Sequence, residues 1–164
     1  MMIRRITGVM FLAMTLVPSL SFAQRMVILT RHAERADGVA TMGGSDPKLS
    51  SAGAARADKI AAMLADANIA AIFTTEFLRT RETAAPLSAR IKVTPEVIAA
   101  GQMSALIEKI KRHADDTVFI VGHSNTVPMI IKALGGPDVS IGDNEYDNLF
   151  FYVPATKTLT RVRY

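Results

Sequence analysis

Arg31 and His32 stand side by side just after the apolar run Met26-Val27-Ile28-Leu29, within Thr30-Arg31-His32-Ala33-Glu34. A guanidinium carries a planar fork of donors that matches phosphoryl oxygens, and it stays charged at physiological pH. A neutral imidazole beside it is a competent nucleophile toward phosphorus near pH 7. Alone, an Arg-His pair is a weak signal. Two further segments strengthen it, Thr75-Glu76-Phe77-Leu78-Arg79 and Gly122-His123-Ser124-Asn125, because each also follows a strand-like run. Arg31, Arg79, His32 and His123 around one point form a pocket for a dianionic phosphoryl group. Transfer of that group places charge on its equatorial oxygens, where fixed cations supply most of the catalysis.

Such residues meet only if the elements before them run parallel. Apolar runs of strand length recur at Met26–Leu29, Ala70–Thr74, more weakly Ile91–Val93, and Thr117–Val121. Helical patterns lie between them. In Ser51–Ala67, Ile60, Met63, Leu64 and Ala67 share a face, with Ser50 as N-cap. Phe77–Arg90 is a second helix, expected to bend or break near Pro86. Ser104–His113 and Thr126–Leu134 are the others, the last capped by Ser124 or Asn125 and stopped by Gly135-Gly136. Alternating strands and helices predict an α/β fold, a three-layer α/β/α sandwich around a mainly parallel sheet. Asn148–Val153 and Thr158–Arg163, joined by Pro154-Ala155-Thr156-Lys157, predict a C-terminal antiparallel hairpin that finishes the sheet at one edge. In a parallel sheet the residues just past the strands share the carboxyl edge, where ligands bind. Ala33–Leu49, with its turn-prone Gly43-Gly44-Ser45-Asp46, is expected to border the site.

The chain resembles the histidine phosphatase superfamily, also called phosphoglycerate-mutase-like. Leu29–Glu34 (LTRHAE) is similar to the Arg-His-Gly/Ala signature, and Asp46–Ala57 (DPKLSSAGAARA) to the proline, leucine-Ser/Thr, x-x-Gly segment. Thr74–Ala84 (TTEFLRTRETA) resembles the Arg-bearing helix start, and Val121–Asn125 (VGHSN) the turn with the second His. The resemblance implies that His32 becomes a phosphohistidine, with Arg31, Arg79 and His123 holding the phosphoryl group. Water then hydrolyses the N–P bond, with no cofactor and no metal. Arg79 is preferred to Arg81 by this register, since the two lie on different faces of the helix. The family's acid is a carboxylate four residues before a Gly, but here that position before Gly101 is Val97, and Glu96 is one residue off. Glu96 is placed first as acid, with Glu34 and Asp46 as rivals that also border the phosphate pocket.

The remaining features bound the setting. Arg4 and Arg5, the apolar Ile6–Leu20 stretch and Ser21-Phe22-Ala23 predict a signal peptide over residues 1–23, cleaved after Ala23, and a single domain over 24–164. The protein is then expected to be periplasmic or secreted, with no stable membrane span; a retained anchor is the alternative. Removing that segment takes away two Arg and no acid, so the formal net charge falls from +4 to +2. With no Lys/Arg-rich run or aromatic stripe, this gives no case for nucleic acid. The chain has no Cys, so thiol chemistry and disulfides are excluded. Three His without a His-Glu-x-x-His or His-x-His pattern argue against a metal site. His113, amid Lys109, Lys111 and Arg112, reads as a solvated helix end. The reading is a phosphomonoesterase acting on a phosphorylated small molecule or envelope glycolipid, the latter by analogy with exported family members. Arg35, Lys48 and Arg56 could attract such anions. The alternatives are a mutase-type phosphoryl transferase and a catalytically silent phospho-ligand binder.

Overall fold

The computed structural model of the protein describes residues 26–36 and 46–164. The expected signal peptide and the Gly43-Gly44-Ser45 part of the turn-rich segment lie outside the described residues. In chain order the elements are β1 (Met26–Arg31), α1 (Ser51–Leu64), β2 (Ile69–Thr74), α2 (Leu78–Ile91), β3 (Glu96–Val97), α3 (Met103–Arg112), β4 (Thr117–Gly122), α4 (Thr126–Ala133), β5 (Asn148–Val153) and β6 (Thr158–Arg163). They build one six-stranded sheet of order β3-β2-β4-β1-β5-β6. β1, β2, β3 and β4 are mutually parallel, while β5 runs antiparallel to β1 and pairs with β6 in the expected hairpin.

Both faces of the sheet are covered, which is why its central strands read as continuous apolar runs. Val27, Leu29, Val118, Ile120 and Phe73 face Ile107 and Ile110 of α3 and Val127, Ile130 and Ile131 of α4. Ile28, Ile72, Phe119 and Val121 face the other way, onto Ile60, Ala61 and Leu64 of α1 and Ala84 and Leu87 of α2. Each such side chain contributes roughly 1.5–3 kcal/mol on burial. After β1 the chain turns to the α1/α2 layer, and after β4 to the α3/α4 layer. The two adjacent strands therefore part company at their carboxyl ends, opening a crevice between them. No described helix is long and apolar enough to cross a membrane.

Local sequence explains most boundaries. The Ser50 side chain accepts from the Gly53 amide at 3.1 Å, capping α1 as expected. Gly53 is buried, and a Cβ there would lie 2.2 Å from the Glu34 carbonyl oxygen. α1 thus begins in direct backbone contact with the segment that follows β1. α4 ends on Gly135, at φ +86°, where the Gly135 and Gly136 amides return to the Lys132 and Ile131 carbonyls.

Three expectations are corrected. The third strand is Glu96–Val97, paired with Phe73 and Thr74, and not Ile91–Val93. Ile91 instead ends α2, Lys92 closes the helix at φ 60°, and Ile91 and Val93 pack beneath the sheet. A two-residue edge strand leaves no periodic signal in sequence. α2 runs through Pro86 without a break, with Ala84 and Leu87 buried on either side of it against the α1 layer. α4 has Asn125 at its cap position, but the Asn125 side chain makes no capping bond. The hydroxyl of Thr126 accepts from the His123 amide at 2.9 Å instead.

Candidate active site

Strand register brings the chemistry together. Arg31 pairs with Gly122 across β1 and β4, and Thr74 with Val121 across β2 and β4. One residue further, His32 donates its amide to the Gly122 carbonyl at 2.9 Å. His32, His123 and Thr75 therefore leave three neighbouring strands at one level. The two imidazoles meet edge to face with centroids 5.4 Å apart. They line an open depression of about 500 Å³ with Arg31, Arg35, Phe77 and Arg79. Ser124 and Asn125 border it as well.

The nucleophile candidate is held in one tautomer. His32 Nδ1 lies 2.8 Å from the Ala33 carbonyl oxygen, which can only accept, so Nδ1 carries the proton and the lone pair sits on Nε2. Burial pushes the His32 imidazole down to about 3, and the charges of Arg31 and Arg79 act in the same direction. His123 is lowered to about 4, chiefly by burial and then by Arg79. Both rings are neutral near pH 7.

His123 is oriented by a hydroxyl pair. Its Nε2 lies 3.1 Å from Thr75 Oγ1, which is 2.9 Å from Thr80 Oγ1, and the Thr80 hydroxyl donates to the Phe77 carbonyl at 2.8 Å. The Phe77 ring stands perpendicular to His123 at 5.3 Å and packs under the Arg79 guanidinium at 4.1 Å.

Arg31 is fixed by a loop far away in sequence. Its Nη1 donates to the carbonyls of Gly142 at 3.0 Å and Asp143 at 2.7 Å, while the Tyr146 ring lies 4.1 Å beneath it. The Nε atoms of Arg31, Arg35 and Arg79 are buried and have no hydrogen-bond partner among the described residues. The three guanidinium side chains line one depression, and their charge favours acceptor oxygens there. A phosphoryl group supplies them.

Arg31, His32, Arg79 and His123 are thus brought to one depression, whereas Arg81 is exposed on α2. The three acid candidates are not lining residues. Glu96 lies exposed at the sheet edge, 2.5 Å from Lys109 Nζ. Glu34 turns toward α1, where both its oxygens accept from Arg56 at 2.6–2.9 Å. Burial works against the Glu34 charge, but the Arg56 hydrogen bonds outweigh it and hold the carboxyl below its ordinary value. Asp46 stays close, accepting from the Leu78 amide at 2.7 Å and meeting Arg79 Nη1 at 3.5 Å. It steadies the start of α2 and the Arg79 guanidinium. Of the three extra cations, Arg35 reaches the depression, Arg56 is taken by Glu34, and Lys48 is exposed beside a separate groove.

Sequence reasoning gave no role to Thr75, Thr80, Phe77 or the Gly142–Tyr146 loop. Thr75 and Phe77 lie inside the Thr75–Arg79 segment already singled out, so their proximity to Arg79 was available. Nothing local connects residues 142–146 to Arg31.

The "Histidine phosphatase superfamily (branch 1)" sequence model matches residues 27–101. No curated protein sequence matches the chain. Among solved structures, mycobacterial glucosyl-3-phosphoglycerate phosphatase with inorganic phosphate superposes at a TM-score of 0.64, with 13% identity over 85% of this chain and 95% of that one. The Agrobacterium tumefaciens protein described as the phosphohistidine phosphatase SixA gives a TM-score of 0.62, with 19% identity over 85% and 96% of the two chains. The protein histidine phosphatase SixA with tungstate gives a TM-score of 0.61, with 17% identity over 84% and 94%. At these identities the structural likeness speaks for the fold, which is the phosphoglycerate-mutase-like architecture expected. The sequence match over residues 27–101 and that shared architecture both support the histidine phosphatase superfamily.

Proposed function

We propose that the protein is a phosphomonoesterase that works through a phosphohistidine on His32. One observation carries this reading: a neutral His32, its Nδ1 proton committed to Ala33, lines the same depression as Arg31, Arg35 and Arg79. Nε2 attacks phosphorus, the ester bond breaks, and Arg31, Arg79 and His123 hold the equatorial oxygens. Water then attacks the phosphohistidine, and the N–P electron pair returns to Nε2. The charge neutralisation that a divalent ion gives in other phosphoryl-transfer sites comes here from guanidiniums, so turnover is metal-independent. The named phosphatases of the same fold support the class of reaction.

The setting belongs to the same proposal. Residues 1–23 act as an export signal, and the mature protein, beginning at Gln24, works on phosphorylated small molecules or glycolipids of the envelope. Sequencing the amino terminus of protein from the periplasmic fraction tests this, and an uncleaved Met1 in the cytoplasm overturns it. For the chemistry, the protein is exposed briefly to a labelled phosphate donor and denatured. Base-stable, acid-labile label that is lost in His32→Ala supports the mechanism. Phosphate release without such label refutes it, and neither label nor release would mean a phospho-ligand binder.

A further inference from the structure

We infer that Arg35 makes the site selective for a phosphoanhydride, the terminal phosphoryl group of a diphosphate ester, by holding the departing phosphate. The inference rests on the phosphatase reading and names its substrate class.

The first observation is a surplus of fixed positive charge. Arg31 and Arg79, with the two imidazoles, suffice for one phosphoryl group, yet Arg35 lines the same depression. Its backbone is pinned by the bridge to Leu49, and the neighbouring Ala36 amide donates to the Lys48 carbonyl at 2.9 Å. Its buried Nε has no partner among the described residues, unlike Arg56, Arg161 and Arg163, which are all paired with carboxylates. Burial is the main cause lowering the Arg31 and Arg79 guanidiniums; Asp143 and Asp46 respectively oppose it, and the charge of Arg35 adds to the lowering in both. Among the described residues Asp46, 3.5 Å from Arg79 Nη1, is the carboxylate paired with these three cations, and a ligand with more than one phosphate supplies the remaining balance.

The second observation concerns the leaving oxygen. No carboxylate lines the depression among the described residues. Among the described residues the nearby acids already accept elsewhere: Asp46 from Leu78, Glu34 from Arg56, and Glu76 from the Ala100 amide at 2.8 Å. A guanidinium keeps its proton, so it stabilises a departing anion but cannot protonate one. An alkoxide is about as basic as hydroxide, near pKa 15.7, and leaves badly on those terms. A phosphate, with a second pKa of about 6, leaves well as a dianion.

The step balances. His32 Nε2 bonds to the terminal phosphorus, the bond to the bridging oxygen breaks, and its electron pair leaves on the phosphate monoester held by Arg35. Water then adds to the phosphoryl group, releasing neutral His32 and dihydrogen phosphate.

The test compares an alkyl diphosphate, the matching alkyl monophosphate and p-nitrophenyl phosphate, each without added metal. The expected result is a kcat/KM for the diphosphate roughly a hundredfold or more above the alkyl monophosphate, the gap that general-acid assistance would otherwise close. Arg35→Gln lowers the ratio of diphosphate to p-nitrophenyl phosphate kcat/KM by roughly tenfold, and Arg35→Lys recovers part of it. Arg81→Gln, on the exposed side of α2, leaves the ratio as it was. Equal rates on the diphosphate and the alkyl monophosphate, or an unchanged ratio in Arg35→Gln, overturn the inference while p-nitrophenyl phosphate turnover keeps the phosphatase reading. Failure to turn over any of the three overturns both.

Discussion

Two clusters of arginine sit at opposite ends of electrostatic practice in this molecule. At the hairpin edge, Arg161 and Arg163 are paired with Glu145 and Asp147, with nitrogen–oxygen distances of 2.5–3.0 Å. The Arg163 hydrogen bond, followed by that from the Gly142 amide, pulls the Glu145 carboxyl down to about 2. At the carboxyl ends of β1 and β4, Arg31, Arg35 and Arg79 keep unpartnered Nε atoms, and the imidazoles between them are held neutral by burial. One cluster is internally satisfied and structural. The other has one long carboxylate contact, Asp46 at 3.5 Å from Arg79, and is completed by an added anion, as a binding site is. The first also braces the second: Glu145 accepts from the Gly142 amide at 2.9 Å and so shapes the loop whose carbonyls receive Arg31.

This contrast can be broken most decisively at His32. His32→Ala is expected to lower kcat by roughly 10⁴-fold or more, because the nucleophile has no substitute. Steady-state kinetics with p-nitrophenyl phosphate checks it, and a modest loss would move the chemistry elsewhere. Arg79→Ala should cost about 10²–10³ in kcat, the usual effect of removing one fixed donor from developing oxyanion charge. Arg31→Ala should fall in the same range for activity, and unlike Arg79→Ala it should also destabilise. It strands the Gly142 and Asp143 carbonyls, at a cost of about 1–3 kcal/mol measurable by urea unfolding.

Acid titration separates the two clusters by sign and by pH window. His32 and His123 bind protons in the unfolded chain below the ordinary value of 6.5, but in the native protein only near 3 and 4. Their contribution is therefore complete above pH 6.5 and is lost progressively as the pH falls toward those native values. Glu145 titrates natively near 2, from an ordinary value of 4.5, so the paired cluster is unchanged between pH 6.5 and 4.5. Unfolding midpoints measured across that interval should fall for the wild type and fall less for His123→Asn. A flat wild-type profile would contradict the buried neutral imidazoles. The smallest effect belongs to Arg163→Ala, an exposed pair screened by solvent, detectable at most as a slight loss of thermal stability.

Much of this molecule could be read before folding. Strands buried on both faces announce themselves as apolar runs, and five of the six strands follow the expected boundaries closely. Residues adjacent to such strands inherit the carboxyl edge, so Arg31, His32, Arg79 and His123 could be grouped from position alone. The choice among acids could not be made in the same way. Glu34 is next but one to His32, yet its side chain joins Arg56 on α1, 22 residues away. Glu96 lies near the family's acid position but sits on a two-residue edge strand beside Lys109. Direction of approach decides these cases, and spacing does not encode it.

Sequence by itself determined the layers of the fold, the hairpin at its edge and the identities of the four groups placed at the strand ends, because burial and strand continuation act through near neighbours. Tertiary structure decided which hydrogen bonds fix each group. The Ala33 carbonyl sets the His32 tautomer, Thr75 and Thr80 orient His123, and a loop more than a hundred residues onward clamps Arg31. It also decided which cations find partners, since pairing depends on distances across the sheet, and those exist only once the chain has closed on itself.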